Sequence, residues 1–132
     1  ATTAEQAYIP PECFKPGSVF MNVSLMDPTF EFVQLADKIV VDDWKQCIHS
    51  DRVLARMHKQ GLLTRENLHA EFGEIVNGDR PGRENDEERI FWNPFGLAIE
   101  DLAVAMAVYR AAQSLGVGRT VELVDSEWDV LF

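Results

Sequence analysis

The sequence predicts an α/β fold in which a parallel sheet is followed by one long helix. Three observations carry that prediction. Two short apolar runs, Ser18–Val23 and Lys38–Val41, read as strands buried on both faces, the pattern of parallel sheets. Between them Thr29–Ala36 has room for one or two helical turns, so strand, crossover and strand fit a parallel pair rather than a hairpin. Third, Leu102, Met106, Tyr109 and Ala112 recur at helical spacing behind Glu100 and Asp101, acidic residues suited to a helix N-terminus.

The elements follow in order. Tyr8–Gly17 carries Pro10, Pro11, Pro16 and Gly17, which predicts a loop or short helix leading into a turn. The first strand comes next, then the crossover, then Lys38–Val41 ending at Asp42 and Asp43. Trp44–Gln60 contains neither Gly nor Pro and places Val53, Leu54 and Met57 on one helix, closed by Gly61. Thr64 caps a further helix, with Glu66 in its first turn, running through Leu68, Phe72 and Ile75 to Gly78. Gly78–Glu88 is a polar turn region, and Arg89–Trp92 is another strand. Gly116 and Gly118 stop the last helix; Val121–Val124 forms a final strand and Ser126–Phe132 a tail.

Composition narrows the function classes. The chain has 132 residues, of which 46% are hydrophobic, enough for a real core. A net charge of −10 and a pI near 4.6 argue against nucleic acid and anionic membranes, which need a basic surface. The acidity is read as a solubility feature. No apolar run approaches the ~20 residues needed to span a bilayer. The chain opens without an initiator Met or a signal-like segment, and Ala1–Ala4 reads as the start of a piece cut from something longer. Cys13 and Cys47 make neither a disulfide framework nor a metal site, and reduced thiols fit a cytoplasmic enzyme.

Few residues signal chemistry by themselves. His69-Ala70-Glu71 has the His-x-Glu core of zinc deaminases without the Pro-Cys-x-x-Cys they require, so His69 is read as a helix residue making a structural hydrogen bond and no metal is expected. Ser24 and Ser114 lack a nucleophile-elbow context. Cys47 reads as a small buried hydrophobe, and Glu84–Glu88 as a solvated turn. Asp27 is the exception. It lies just beyond the first strand, where open parallel sheets bind ligands, and a carboxylate there is placed for proton transfer. It could equally cap the turn before Pro28. No Gly-rich phosphate loop is present, because Gly116-x-Gly118 follows a helix rather than preceding one. That loop, and the acidic residue that would hold an adenosine ribose, are expected upstream of Ala1.

Several spaced motifs resemble one family. Ala1–Ala4, Phe14-Lys15-Pro16-Gly17, Asn22-Val23-Ser24-Leu25-Met26-Asp27 and Phe95–Asp101 stand in the order found in the ornithine cyclodeaminase/μ-crystallin family of NAD(P)-dependent oxidoreductases. The stretch His69–Ala103 is similar to that family's C-terminal signature. The resemblance implies the second half of a Rossmann-type parallel sheet over residues 1–96, then a helix and tail, 97–132, returning to a substrate and dimerisation domain. It implies NAD as cofactor, a homodimer, and a site completed by an N-terminal half outside these residues. By position, Asp27 would be the catalytic general base. Thr2, Thr3, Asn22, Val23 and Ser24 would lie against the cofactor, and Phe95 and Gly96 would wall the nicotinamide pocket.

Within the family, Val41–Cys47, Leu68–Glu71, Gly78–Arg83 and Asn93–Asp101 are most similar to one branch of dehydrogenases. That branch makes L-2,3-diaminopropionate for siderophores and nonribosomal peptides. The likeness implies NAD-dependent oxidation of N-(2-amino-2-carboxyethyl)-L-glutamate, with imine hydrolysis to L-2,3-diaminopropionate and 2-oxoglutarate. It also implies a pyridoxal-phosphate synthase that supplies the substrate. The chain lacks the Pro-Gly-Lys that cyclodeaminases carry after the aspartate, which points away from ornithine. Ornithine cyclodeamination, cyclic imine reduction, a μ-crystallin-like ligand carrier and a stand-alone interaction module are the alternatives.

Overall fold

The computed structural model describes residues 3–121 and divides at Gly96 into two compact units, Ala1–Gly96 and Leu97–Phe132. The first unit is built on four parallel strands, β1 (Val19–Met21), β2 (Lys38–Val41), β3 (Ala70–Glu71) and β4 (Ile90–Asn93), in the spatial order β1-β4-β2-β3. The chain reaches β2 from β1 through α1 (Phe30–Gln34) and reaches β3 through α2 (Trp44–Ile48) and α3 (Val53–Lys59). After α4 (Phe72–Val76) it returns to place β4 between β1 and β2. Because every pair is parallel, all the strand carboxyl ends lie along one edge of the sheet.

One face of the sheet carries the core. Phe20 on β1, Ile39 and Val41 on β2 and Phe91 on β4 alternate inward and meet Phe14, Phe32, Val33, Leu54, Met57 and Leu63. Phe91 is fully buried, which stabilises the fold by about 1.5–3 kcal/mol. Phe32 stacks on Phe14, with ring centroids 4.4 Å apart. Thr29 starts α1 by accepting a hydrogen bond from the Phe32 amide at 3.2 Å, the usual N-cap arrangement.

The other face is covered unevenly. Phe72 of α4 stacks on Trp92 at 4.7 Å, whereas Val19 and Met21 of β1 are about half exposed. The expectation that the first strand is buried on both faces is therefore corrected: β1 is an edge strand, and only Phe20 reaches the core. At the amino ends of the strands, buried Lys38 donates to the Gly82 carbonyl at 2.6 Å and pairs with Glu84 and Glu88 at 2.6 and 3.0 Å. Burial alone would pull its pKa down, but the hydrogen bonds to the two carboxylates reverse this and leave it raised. Gly17, at φ +76°, leads into β1, and a Cβ there would meet the Asp86 carbonyl oxygen at 2.4 Å.

Three further expectations are corrected. Trp44–Gln60 is two helices, not one. Ser50 donates from its hydroxyl to the Cys47 carbonyl at 2.7 Å and accepts from the Arg52 amide at 3.2 Å, so local side-chain bonds compete with the helix and break it. The helix expected from Thr64 to Gly78 is a single 3-10 turn, Arg65–Asn67, then extended chain entering β3, then α4. His69 is accordingly on extended backbone, where its amide donates to the Ile39 carbonyl and its Nε2 lies 2.8 Å from the Pro81 carbonyl oxygen.

The second unit contains α5 (Ala98–Leu115), which Gly116 ends in the left-handed conformation at φ +65°. Its side chains Ile99, Leu102, Val104, Val108 and Tyr109 are all more than half exposed. Of the expected strand Val121–Val124 only Val121 is described, and the rest, like the tail, lies outside the described residues. Among the described residues no helix is long and apolar enough to cross a membrane.

Candidate functional site

The segments that leave the strand carboxyl ends form a closed circuit of contacts. Beyond β1, the Asn22 amide donates to the Trp92 carbonyl at 2.7 Å, and its side chain donates from Nδ2 to Asn93 Oδ1 at 2.8 Å. Both asparagines are buried. An amide pair can form two mutual bonds, but here Asn22 Oδ1 and Asn93 Nδ2 have no hydrogen-bond partner among the described residues. Apolar side chains would avoid that desolvation cost, about 1–3 kcal/mol per unsatisfied group.

From Asn93 the circuit continues through Pro94 and Phe95. The guanidinium of Arg52, at the start of α3, donates to the Pro94 carbonyl at 2.7 Å and stands 4.6 Å from the centre of the Phe95 ring. The next residue of α3 closes the loop, since the Val53 amide donates to the Leu25 carbonyl at 3.1 Å. Leu25 belongs to the segment that carries Ser24 and Asp27, both buried. The main-chain carbonyl of Asp27 accepts from the Tyr8 and Ile9 amides at 3.0 and 2.9 Å. The Tyr8–Ile9 stretch, through an isolated bridge of Ile9 to Pro28, thus pins the backbone of the candidate base, and α1 takes its cap from Thr29.

Of the residues singled out in the sequence, Asn22, Ser24, Asp27, Phe95 and Gly96 belong to this circuit or adjoin it. Val23 lies in the same segment with its side chain half exposed. Thr3 is exposed on the stretch leading to Tyr8, and Thr2 lies outside the described residues. Sequence reasoning missed Asp42, Arg52 and Asn93. Asp42 reaches three groups through its carboxylate alone. Its carboxylate accepts from the Phe95 and Gly96 amides at 2.7 and 2.9 Å and from Trp92 Nε1 at 3.3 Å. Its signal was its place just past a strand end, but the partners lie fifty or more positions away and only the β2–β4 register brings them together.

Other reactive groups are elsewhere or inert. Burial pushes the Cys47 thiol up to about 11; Arg52 draws it down, while Asp42 and Asp43 add to the rise, so it is no nucleophile. A surface concavity of about 340 Å³ lined by Asp37, Glu88 and Arg89 sits at the opposite, amino ends of β2 and β4. Among the described residues no cluster of three His, Cys, Asp or Glu side chains could hold a metal ion.

A parallel sheet with buried polar side chains just beyond its carboxyl ends is the arrangement of part of a Rossmann-type domain. The chain belongs to the ornithine cyclodeaminase/mu-crystallin family, whose model it matches over residues 3–116. It is 42% identical, over 122 residues, to N-((2S)-2-amino-2-carboxyethyl)-L-glutamate dehydrogenase of Staphylococcus aureus, a match covering 92% of this chain and 36% of that protein. Among solved structures it resembles CmnK, with a TM-score of 0.82 and 28% identity over 95% of this chain and 38% of that one. It also resembles the Thermococcus litoralis Δ1-pyrroline-2-carboxylate reductase solved with NADH and L-proline, with a TM-score of 0.73 and 32% identity over 91% of this chain and 38% of that one. The chain thus spans little more than a third of the length of these proteins.

Proposed function

We propose that this chain supplies the nicotinamide-side half of an NAD-dependent oxidoreductase that oxidises a secondary-amine amino acid, N-(2-amino-2-carboxyethyl)-L-glutamate. The observation that carries the reading is the buried Asp27 carboxylate beside the Asn22–Ser24 strand end, in a chain 42% identical to a dehydrogenase of that substrate. NAD, when bound, accepts hydride from the Cα–H that bears the amine. Asn22, Val23 and Ser24 then line the cofactor, with Thr2 and Thr3 on the segment before them, while Phe95 and Gly96 wall the nicotinamide. The fit is partial: the described residues offer strand-end polar groups and an aromatic wall but no Gly-rich turn for the pyrophosphate.

Asp27 does the proton work. As Cα–H leaves as hydride, the amine N–H proton passes to the Asp27 carboxylate and the C=N bond forms on the substrate. Asp27 hands that proton to the imine nitrogen and, a carboxylate again, deprotonates the water that adds to the imine carbon. Collapse of the adduct breaks the C–N bond, returns a proton to nitrogen, and yields 2-oxoglutarate and L-2,3-diaminopropionate.

The rest of the protein is part of the same proposal. A further portion of polypeptide carries the phosphate loop and the cationic residues for the substrate carboxylates. The exposed apolar residues of α5 return to a substrate and dimerisation domain, making a cytoplasmic homodimer. The test is a substrate panel on the complete enzyme, following both NAD reduction and ammonia release with N-(2-amino-2-carboxyethyl)-L-glutamate, ornithine, proline and alanine. The reading expects the first to win, with 2-oxoglutarate as product. Preference for ornithine with ammonia release, or for proline, would overturn it in favour of a cyclodeaminase or an imine reductase.

A further inference from the structure

We infer that Asp42 and Arg52 are positioning residues forming a two-sided clamp on the Pro94–Gly96 turn, and that this clamp sets how tightly the nicotinamide end of the cofactor is held. The inference rests on the proposed dinucleotide site, but Asp42, Arg52 and Pro94 lie outside the set first assigned to that site.

The need for a clamp follows from the backbone. β4 ends at Asn93, so the amides of Phe95 and Gly96 have no ladder partner beyond it. Gly96 sits at φ +85°, a conformation available to glycine that by itself imposes no rigidity. The β2–β4 register sets Val41 opposite Asn93, which delivers Asp42 to the turn. One oxygen of its carboxylate takes both amides, at 2.7 and 2.9 Å, and the other takes the Trp92 indole N–H. Hydrogen bonds to an ionised acceptor are the strong ones. Arg52 secures the opposite polarity, donating to the Pro94 carbonyl while its guanidinium lies over the Phe95 ring. The main-chain donors and acceptor on both sides of Phe95 are thereby fixed, and the ring is held against a cation. Arg52 is anchored in turn by Ser50 through its own amide, and its neighbour Val53 by Leu25, which ties the clamp to the segment bearing Asp27. A ring fixed before the cofactor arrives loses no further entropy on binding.

The experiment is a double-mutant cycle on the complete enzyme, reading NADH binding by cofactor fluorescence, turnover, and the thermal midpoint. Asp42→Ala is expected to weaken NADH roughly tenfold, the scale of losing charge-assisted bonds. In a Phe95→Ala background the same change should shift binding less than about twofold, because contacting residues couple. Asp42→Asn keeps one acceptor oxygen and should recover part of the affinity. Independent, multiplying losses would overturn the inference, as would a lowered thermal midpoint with unchanged NADH affinity. If Asp42→Ala does not fold, Arg52→Met in the same cycle decides, since it keeps the packed stem and removes both the carbonyl bond and the ring cation. NADH binding with no turnover on any amine would sink the proposed reaction while leaving the clamp standing. Failure of the wild-type enzyme to bind NADH would overturn both.

Discussion

Replacing Asp27 by Asn in the complete enzyme separates catalysis from structure. The change keeps the size and shape of a buried side chain and removes only its basic oxygen. The backbone bonds at this position are unaffected, because Tyr8 and Ile9 donate to the main-chain carbonyl of Asp27. The cap of α1 is also unaffected, because Thr29 supplies it. Any change in stability then reports on what the carboxylate itself touches. Turnover should fall by about 100-fold or more, the usual scale for a general base, which corresponds to about 2.7 kcal/mol in the barrier. NADH affinity should hardly move, since the proposed role is proton transfer. Thr29→Ala is the control: it should lower stability by about 1 kcal/mol and leave turnover of the folded enzyme near wild type. Steady-state kinetics beside thermal melts read both. Near-wild-type turnover of Asp27→Asn with a lowered melting temperature would refute the reasoning and make Asp27 a turn residue.

Three further outcomes are expected. Gly17→Ala should cost about 1–3 kcal/mol in chemical denaturation, since the position is left-handed and the new methyl would sit 2.4 Å from the Asp86 carbonyl oxygen; an unchanged denaturation midpoint would contradict this. A thiol reagent at mildly alkaline pH should modify exposed Cys13 in the native protein and reach buried Cys47, with its thiol raised to about 11, only after unfolding; rapid native labelling of both would contradict it. Glu88 is held below the ordinary value of 4.5, first by the Glu84 amide and also by Lys38. Because the folded-state pKa is the lower one, its contribution is fully present above that ordinary value and is lost as pH falls through the folded-state value. Glu88→Gln should therefore flatten the acid limb of melting temperature against pH, and an identical limb in the variant would count against the pairing.

How far the sequence could be read depended on range. Strands β1, β2 and β4 were legible because each is a run of apolar residues with a turn signal beside it. The long helix was legible because its spacing and its glycine stop are local. Strand β3 was not, for Ala70–Glu71 is two residues long and joins the sheet through its pairing with Val40 and Val41. The break between α2 and α3 was hidden because Ser50 interrupts the helix with its hydroxyl, without any Gly or Pro. The same division runs through the site. Asp27 follows a strand end and could be picked by position, whereas Asn22 and Ser24 came from the family resemblance. Asp42 and Arg52 matter through Phe95 and Pro94, which only the folded register places beside them.

The central claim, hydride loss from a carbon bearing a secondary amine, is tested most directly with substrate deuterated at the glutamyl Cα. Incubated with the complete enzyme and NAD, it should yield singly deuterated NADH by mass spectrometry, together with equimolar 2-oxoglutarate and L-2,3-diaminopropionate. Reduced cofactor carrying no deuterium, or consumption of the amine without reduced cofactor, would contradict the account.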